Sequence, residues 1–383
     1  METFRIDVPA ADLDDFQRRI DAVRWPADPP GGEWDRGAPP RYLRELVGYW
    51  RDKYDWRAAE ARLNGYEQYR TEIDGAQVHL LHARSPEPGA LPLVLTHGWP
   101  SSVAEFLEVI GPLTDPRAYG GDPADAFHVV APSLPGFGFS GTGLGAGWNV
   151  RRIAEAWAEL MRRLGYDRYG AQGGDFGSMI SLELGRVAPG RVAGVHSSML
   201  LVPPPDDPAE LAGLSEPERR RLEQHARFEN ELSGHFRLLA ARPQTPAYAL
   251  TDSPVGQLAW IMDKFWEWTE GDVPEDAVDR DHLLTNVMIY WLTGTAGSSA
   301  QFYYEYAREL LATPPARERP ITVPVGVAVF PHDLVLPIRR FADRDVPTIV
   351  HWSEFDRGGH FAALEQPETF VADVRAFFRL VRT

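Results

Sequence analysis

Gly173-Gly174-Asp175-Phe176-Gly177 follows Tyr169-Gly170-Ala171-Gln172 and precedes the helical run Met179-Ile180-Ser181-Leu182-Glu183-Leu184. This is the frame of a strand, a sharp turn and a helix that presents a nucleophile at the turn, in the pattern G-x-S-x-G with aspartate in the serine position. Small residues are required two before and two after the nucleophile, because such a turn is strained and closely packed. The following helix N-terminus stabilises negative charge at Asp175. Taken alone, the stretch also fits a glycine-rich turn with a helix-capping aspartate.

Two other stretches give it context. His97-Gly98-Trp99-Pro100 comes just after the apolar run Leu91-Pro92-Leu93-Val94-Leu95. A loop in that place supplies one backbone N–H of an oxyanion hole, and the residue after the nucleophile supplies the other. The donors are therefore expected at Trp99 and Phe176, with the His97 side chain bonded inside its own loop. Near the C-terminus, Arg357-Gly358-Gly359-His360-Phe361 lies between a strand and the last helix. His360 then completes the order nucleophile, acid, histidine. Asp333, in Phe330-Pro331-His332-Asp333, is the expected acid, and Glu354 and Asp356 are the alternatives nearer His360.

Around these motifs, strands alternate with helices. Phe127 to Val130, Val192 to His196, Ile321 to Phe330 and Thr348 to His351 read as strands. Residues 150 to 164 place Val150, Ile153, Trp157, Leu160, Met161 and Leu164 on one helical face, with Asn149 as cap and Gly165 as stop. Pro367 opens a last helix with Phe370, Val374, Phe377 and Val381 on one face. Such alternation predicts an α/β fold with a mostly parallel sheet covered on both faces. Residues 1–90 read as a helical preface, with a helix over Leu13, Phe16, Ile20 and Val23 capped by Asp12, another over 40–52, and a strand from Gln77 to His82. From about Pro203 to Glu318 the chain turns helical and Trp-rich, as an insertion over the C-terminal edge of the sheet.

Composition limits the chemistry. The chain has 383 residues, 44% apolar and 25% charged, enough for a substantial core. It has no cysteine, which excludes disulfides, zinc–thiolate sites, Fe–S clusters and thiol catalysis. No metal and no cofactor is expected. With 39 basic against 55 acidic residues, the net charge of −16 disfavours nucleic acid and anionic membranes. No secretory signal and no apolar run of about 18 residues is visible, so a cytoplasmic chain without membrane association is expected. Arg219-Arg220-Arg221 reads as a solvated helix face.

An aspartate nucleophile selects the reaction. A carboxylate is poorly suited to acyl transfer, where it would form an anhydride. It suits displacement at an sp³ carbon, where it forms an alkyl ester of the enzyme. Water activated by His360 then attacks the Asp175 carbonyl carbon, and Asp333 fixes the imidazole tautomer. The leaving group is a halide or a ring-opened epoxide oxygen. A haloalkane-type dehalogenase and a catalytically silent binding protein on the same fold are the rival readings. The first needs halide donors near the oxyanion loop, and the second predicts loss of Asp175, Asp333 or His360.

The chain resembles the epoxide hydrolases of the microsomal and juvenile-hormone type within the α/β-hydrolase superfamily. The matching stretches are His97-Gly98-Trp99-Pro100, Gly173-Gly174-Asp175-Phe176-Gly177, Thr251-Asp252-Ser253-Pro254-Val255-Gly256, Leu284-Thr285-Asn286-Val287, Tyr290-Trp291, Thr293-Gly294-Thr295 and Arg357-Gly358-Gly359-His360-Phe361. They span nearly the whole chain. The resemblance implies an α/β-hydrolase fold with an N-terminal extension over 1–90, a core over 91–202 and 319–383, and a helical cap over 203–318. It implies Asp175 as nucleophile, Asp333 as acid, His360 as base, and a cap tyrosine that donates to the epoxide oxygen. That tyrosine is best matched by Tyr303, with Tyr304 its neighbour. A small-molecule epoxide is the implied partner, a vicinal diol the product, and a homodimer the family-level expectation.

The chain also departs from the pattern. The family usually carries a second tyrosine after Ser-Gly in the cap, where Ser233-Gly234 is here followed by His235 and Phe236. His235 and Phe236 are expected at the substrate, with a histidine donor in place of the second tyrosine or Tyr303 acting without it. The soluble layout resembles the bacterial epoxide hydrolases of enediyne antibiotic biosynthesis. Trp260, Phe265, Trp266 and Trp268 crowd one cap segment, as core or as pocket lining.

Overall fold

The protein is described by a computed structural model covering residues 1–31, 33–205, 207–312 and 320–382. Its strands are β1 (Glu2–Phe4), β2 (Glu67–Ile73), β3 (Ala76–Ala83), β4 (Leu91–Thr96), β5 (Phe127–Pro132), β6 (Tyr169–Gly173), β7 (Val192–Ser197), β8 (Val325–Val329) and β9 (Ile349–Glu354). They form one sheet in the order β1-β2-β3-β5-β4-β6-β7-β8-β9. The pairs from β5 through β9 are parallel, and β1, β2 and β3 add an antiparallel edge. The central strands are buried on both faces, which is why Leu91 to Leu95 reads as a near-continuous apolar run. This is the α/β-hydrolase fold.

The helices covering the sheet begin with α1 (Ala10–Asp21), α2 (Pro40–Asp52) and α3 (Trp56–Leu63) in the N-terminal segment, followed by α4 (Leu107–Thr114), α5 (Val150–Arg163) and α6 (Asp175–Val187). The cap insertion between β7 and β8 contains α7 (Pro208–Leu211), α8 (Glu216–Arg227), α9 (Gly234–Ala241), α10 (Gln244–Asp252), α11 (Pro254–Trp268), α12 (Arg280–Thr293) and α13 (Ala296–Ala312). The chain ends with α14 (Arg339–Asp345), α15 (Ala362–Glu365) and α16 (Pro367–Val381). Helix α6 packs on β4, β6 and β7 with α5 beside it, while α4 and α16 pack together over β5 and β7. Helix α5 is capped as its sequence requires: the Asn149 side chain accepts from Arg152 N–H at 3.0 Å.

Three readings of the sequence change. Residues 1–90 hold the strand expected over Gln77 to His82 as β3, but also β1 and β2, which the sequence reading did not include. Asp12 is not the cap of α1; the helix already starts at Ala10, which leaves Asp12 in the first turn. The strand expected over Ile321 to Phe330 is confined to Val325–Val329, and Ile321 and Val323 are buried outside it. The expected cap boundary at 318 and 319 lies outside the described residues.

The N-terminal segment also binds the cap. Arg19 donates to the Asp252 carbonyl at 2.8 Å and pairs with its carboxylate at 3.0 Å. Tyr42 donates to Glu275, Tyr49 to Asp281, and the Tyr54 hydroxyl bonds Thr285. Trp34 stacks flat on Trp266 at 4.8 Å. Among the described residues no helix is long and apolar enough to cross a membrane.

Candidate active site

The turn after β6 forces Asp175 into a left-handed backbone conformation, with φ of +50°. A β-carbon cannot normally hold that geometry cheaply; the strain is about 1–3 kcal/mol. It persists because the neighbours cannot be larger. A β-carbon on Gly173 would sit 2.1 Å from the Gly177 carbonyl, and one on Gly177 would sit 1.9 Å from the Thr96 carbonyl oxygen. The elbow therefore packs backbone against backbone, and its one projecting side chain is the carboxylate.

That carboxylate is held from two sides. Trp99 N–H donates to Asp175 Oδ1 at 2.9 Å, from the loop after β4. His360 Nε2 lies 3.3 Å from Asp175 Oδ2. Phe176 lies in the first turn of α6, where a backbone N–H has no acceptor within the helix. The two N–H groups expected as an oxyanion hole therefore belong to the loop and the turn that meet at this carboxylate.

His360 is fixed at its other edge by Asp333, with Nδ1 to Oδ1 at 2.7 Å. The same oxygen accepts from Leu334 N–H at 2.7 Å. The alternative Glu354 is engaged elsewhere, with Arg221 and with the Trp352 indole at 2.9 Å. Burial opposes charge on His360, but Asp333 and then Asp175 outweigh it and raise the ring to about 10. The side chains of His360 and Asp333 are 1% and 4% exposed, against 15% for Asp175. Of the three side chains, Asp175 has the most appreciable opening.

Around that opening the walls are aromatic. Tyr303 stands edge-on to Trp99 at 5.6 Å and to Phe176 at 4.9 Å. Burial and the nearby Asp175 charge raise its phenol well above the ordinary value, so it stays protonated. His235 stacks on Trp99 at 5.6 Å, and burial pushes its imidazole down to about 3. Phe236 lies 5.7 Å from Tyr303. Tyr304 is turned away from this group. One residue along a helix is a rotation of about 100°, and its hydroxyl accepts a bond from Arg308 at the surface. His97 bonds the Gly98 carbonyl of its own loop and also accepts from Leu134 N–H in the loop after β5, and burial lowers it to about 4.

Of the four cap aromatics, Trp260 and Trp268 approach Trp99, while Phe265 stacks on Phe361 at 4.0 Å and Trp266 reaches Trp34. Sequence reading gave no role to Tyr290, which donates to the Ser101 carbonyl at 2.7 Å beneath the oxyanion loop. It also passed over Glu105 and Glu365, both buried and both raised by burial to about 7 beside His360. Only their place within the matched motifs or next to them could have flagged them.

The family description "Epoxide hydrolase N terminus" matches residues 1–106, and "alpha/beta hydrolase fold" matches 92–244. A protein of Stigmatella aurantiaca (strain DW4/3-1) is 49% identical over 381 residues, covering 99% of this chain and 85% of its own. Epoxide hydrolase 1 of Sus scrofa is 33% identical, covering 99% of this chain and 88% of its own. The chain belongs to the epoxide hydrolase family of juvenile-hormone and microsomal type. The crystal structure of juvenile hormone epoxide hydrolase from the silkworm Bombyx mori superimposes on this epoxide hydrolase with a TM-score of 0.89 at 30% identity, covering 100% and 94% of the two chains. The match extends from the sheet through the N-terminal segment and the cap of the hydrolase.

Proposed function

We propose that the enzyme opens a small-molecule epoxide to a vicinal diol in two covalent steps at Asp175. The observation that carries this reading is the strained carboxylate held between the Trp99 N–H and the His360 ring. In the first step, one Asp175 oxygen attacks an epoxide carbon and the C–O bond of the ring breaks. Tyr303 donates to the epoxide oxygen and protonates the leaving alkoxide. The product is an ester of Asp175. In the second step, a water loses a proton to His360 and its oxygen attacks the ester carbonyl carbon. The Trp99 and Phe176 N–H groups hold the oxyanion. Collapse breaks the bond between that carbon and the substrate-bound oxygen, and the diol leaves. The His360 imidazolium protonates the departing alkoxide, and the regenerated Asp175 carboxyl gives the other water proton to the Tyr303 phenolate, which restores both residues.

Asp333 orients His360 and stabilises the imidazolium. Esterification removes the Asp175 charge, which lowers the proton affinity of His360 and makes it a base when a base is needed. His235 and Phe236 shape the substrate side of the chamber, and the neutral imidazole of His235 stands where the family's second tyrosine is expected. The 1–90, 91–202, 203–318 and 319–383 division, a cytoplasmic homodimer, and a natural-product epoxide of the enediyne type rest on the sequence resemblance.

Repeated turnover of styrene oxide in ¹⁸O-water tests the covalent route. Label is expected in the Asp175 carboxylate, read by mass spectrometry of its peptide. Diol formation without label there would overturn it.

A further inference from the structure

The two-step reading places one demand on the fold. Water must reach His360 while the substrate, now an ester of Asp175, occupies the aromatic chamber. In the resting geometry His360 Nε2 and Asp175 Oδ2 are 3.3 Å apart, in direct contact. The water must therefore arrive after the first step, by a path the alkyl group does not block.

The surroundings of the His360 ring leave few paths. Its Nδ1 edge is taken by Asp333. One neighbouring ring, Phe361, is wedged by Phe265, which stacks on it at 4.0 Å. The remaining neighbour is Trp268, whose ring meets His360 at 4.9 Å and an interplanar angle of 63°. Behind Trp268 and Asp333 lies a separate cavity of about 190 Å³ at the seam of cap and core. Its lining includes the polar side chains of Gln224, Arg227 and Glu267 and the apolar walls Leu232 and Leu334.

This cavity carries polar groups that can hold water. Gln224 reaches across it to the Asp333 carbonyl at 2.8 Å. Glu267 is held by Lys264 at 2.5 Å, and the ammonium group of Lys264 lies over the Trp268 ring at 5.6 Å. The Trp268 indole N–H is buried and finds no acceptor among the described residues. A water can satisfy such a group, and a cavity of this size holds several. Trp268 is the last residue of α11, and its ring packs between His235 and His360.

We propose that this cavity is the water inlet of the second half-reaction and that the Trp268 ring is its gate. The inference rests on the covalent two-step reading. Water held beside Gln224, Arg227 and Glu267 passes the edge of Trp268 to His360, while the substrate enters and remains on the Tyr303 side.

Leu232→Trp and Phe228→Trp, both on the cap wall and away from the Asp333 loop, each fill the cavity. Single-turnover rapid quench with styrene oxide, read by intact-protein mass, separates ester formation from ester decay. The expected result is decay slowed tenfold or more, ester accumulating in the steady state, and formation within twofold of the parent. Near-UV circular dichroism identifies which variant is folded, and the two positions give two separate tests. An unchanged decay rate in a folded variant would overturn the inlet. Formation slowed as much as decay would also overturn it and would mark the cavity as the substrate's route. If the parent enzyme forms no ester at all, the two-step reading itself fails, and that result is distinct from both.

Discussion

His360 stands between two carboxylates, 3.3 Å from Asp175 and 2.7 Å from Asp333. Burial alone would keep the ring neutral, but Asp333 and Asp175 together raise it to about 10. Both carboxylates therefore favour the protonated ring. Asp175→Asn removes one of the two negative neighbours, so His360 should titrate at a clearly lower pH. NMR titration of the imidazole in both proteins reads this directly. The same shift has a stability consequence. A folded value raised above the ordinary 6.5 contributes stability that is complete below about 6.5 and lost as pH rises through about 10. The melting temperature should fall across that window, and fall less steeply in Asp175→Asn.

Replacing the base should separate the two steps. In His360→Gln the ester should still form, while its hydrolysis loses the general base, a loss of about 10²–10⁴-fold. Intact-protein mass after mixing with styrene oxide should show a persistent adduct on Asp175. Rapid turnover without an adduct would contradict the role given to His360.

The two adjacent tyrosines should behave differently. Tyr303 faces Trp99 and Phe176, whereas the Tyr304 hydroxyl meets Arg308 at the surface. Tyr303→Phe should slow ester formation by about 10²-fold or more through loss of the acid. Tyr304→Phe should leave it within about twofold, since it changes an exposed contact of small energy. Comparable losses in both would move the acid role away from Tyr303.

Two glycines near the nucleophile should fail in different ways. A β-carbon at Gly177 would meet the Thr96 backbone at 1.9 Å, and backbone cannot move aside cheaply. Gly177→Ala should cost about 3 kcal/mol or more of stability, measured by urea unfolding. At Gly98 the added carbon would meet the Asp175 carboxylate at 2.2 Å. Gly98→Ala should displace that side chain, so activity should fall further than stability does.

A second buried charge lies far from the elbow. Asp373 on α16 bonds His196 at 2.9 Å, His351 at 2.8 Å and Ser353 at 2.6 Å, joining α16 to β7 and β9. Burial would raise its carboxyl, but these bonds outweigh burial and hold it well below the ordinary 3.8. Its contribution is therefore present above about pH 4 and lost as pH falls further. Asp373→Asn should destabilise the fold by about 3 kcal/mol and flatten the acid limb of the stability curve. Equal acid sensitivity in parent and variant would remove Asp373 as its source.

By itself the sequence determined the elbow, the oxyanion loop and the histidine, because each is set by short-range constraints. A strained turn demands glycine at fixed spacing, and a parallel strand buried on both faces demands an unbroken apolar run. The alternation of those runs with amphipathic helices carried the fold class. Tertiary structure decided what depends on residues distant in the chain. The sequence left Glu354 and Asp356 beside Asp333 as candidate acids, and the fold engages Glu354 with Arg221 while bringing Asp333 to His360. The sequence could not see β1 or β2, since a three-residue strand and a largely polar strand gain their order from pairing, β1 with β2 and β2 with β3. Tyr303 and Tyr304 differ only in which way a helix faces once it is packed. Trp268 acquires its place between His360 and the polar cavity only because the cap folds back onto the core. Local strain and periodicity are written into neighbouring residues, whereas the partners of a buried charge or ring are set by the packing of the whole chain.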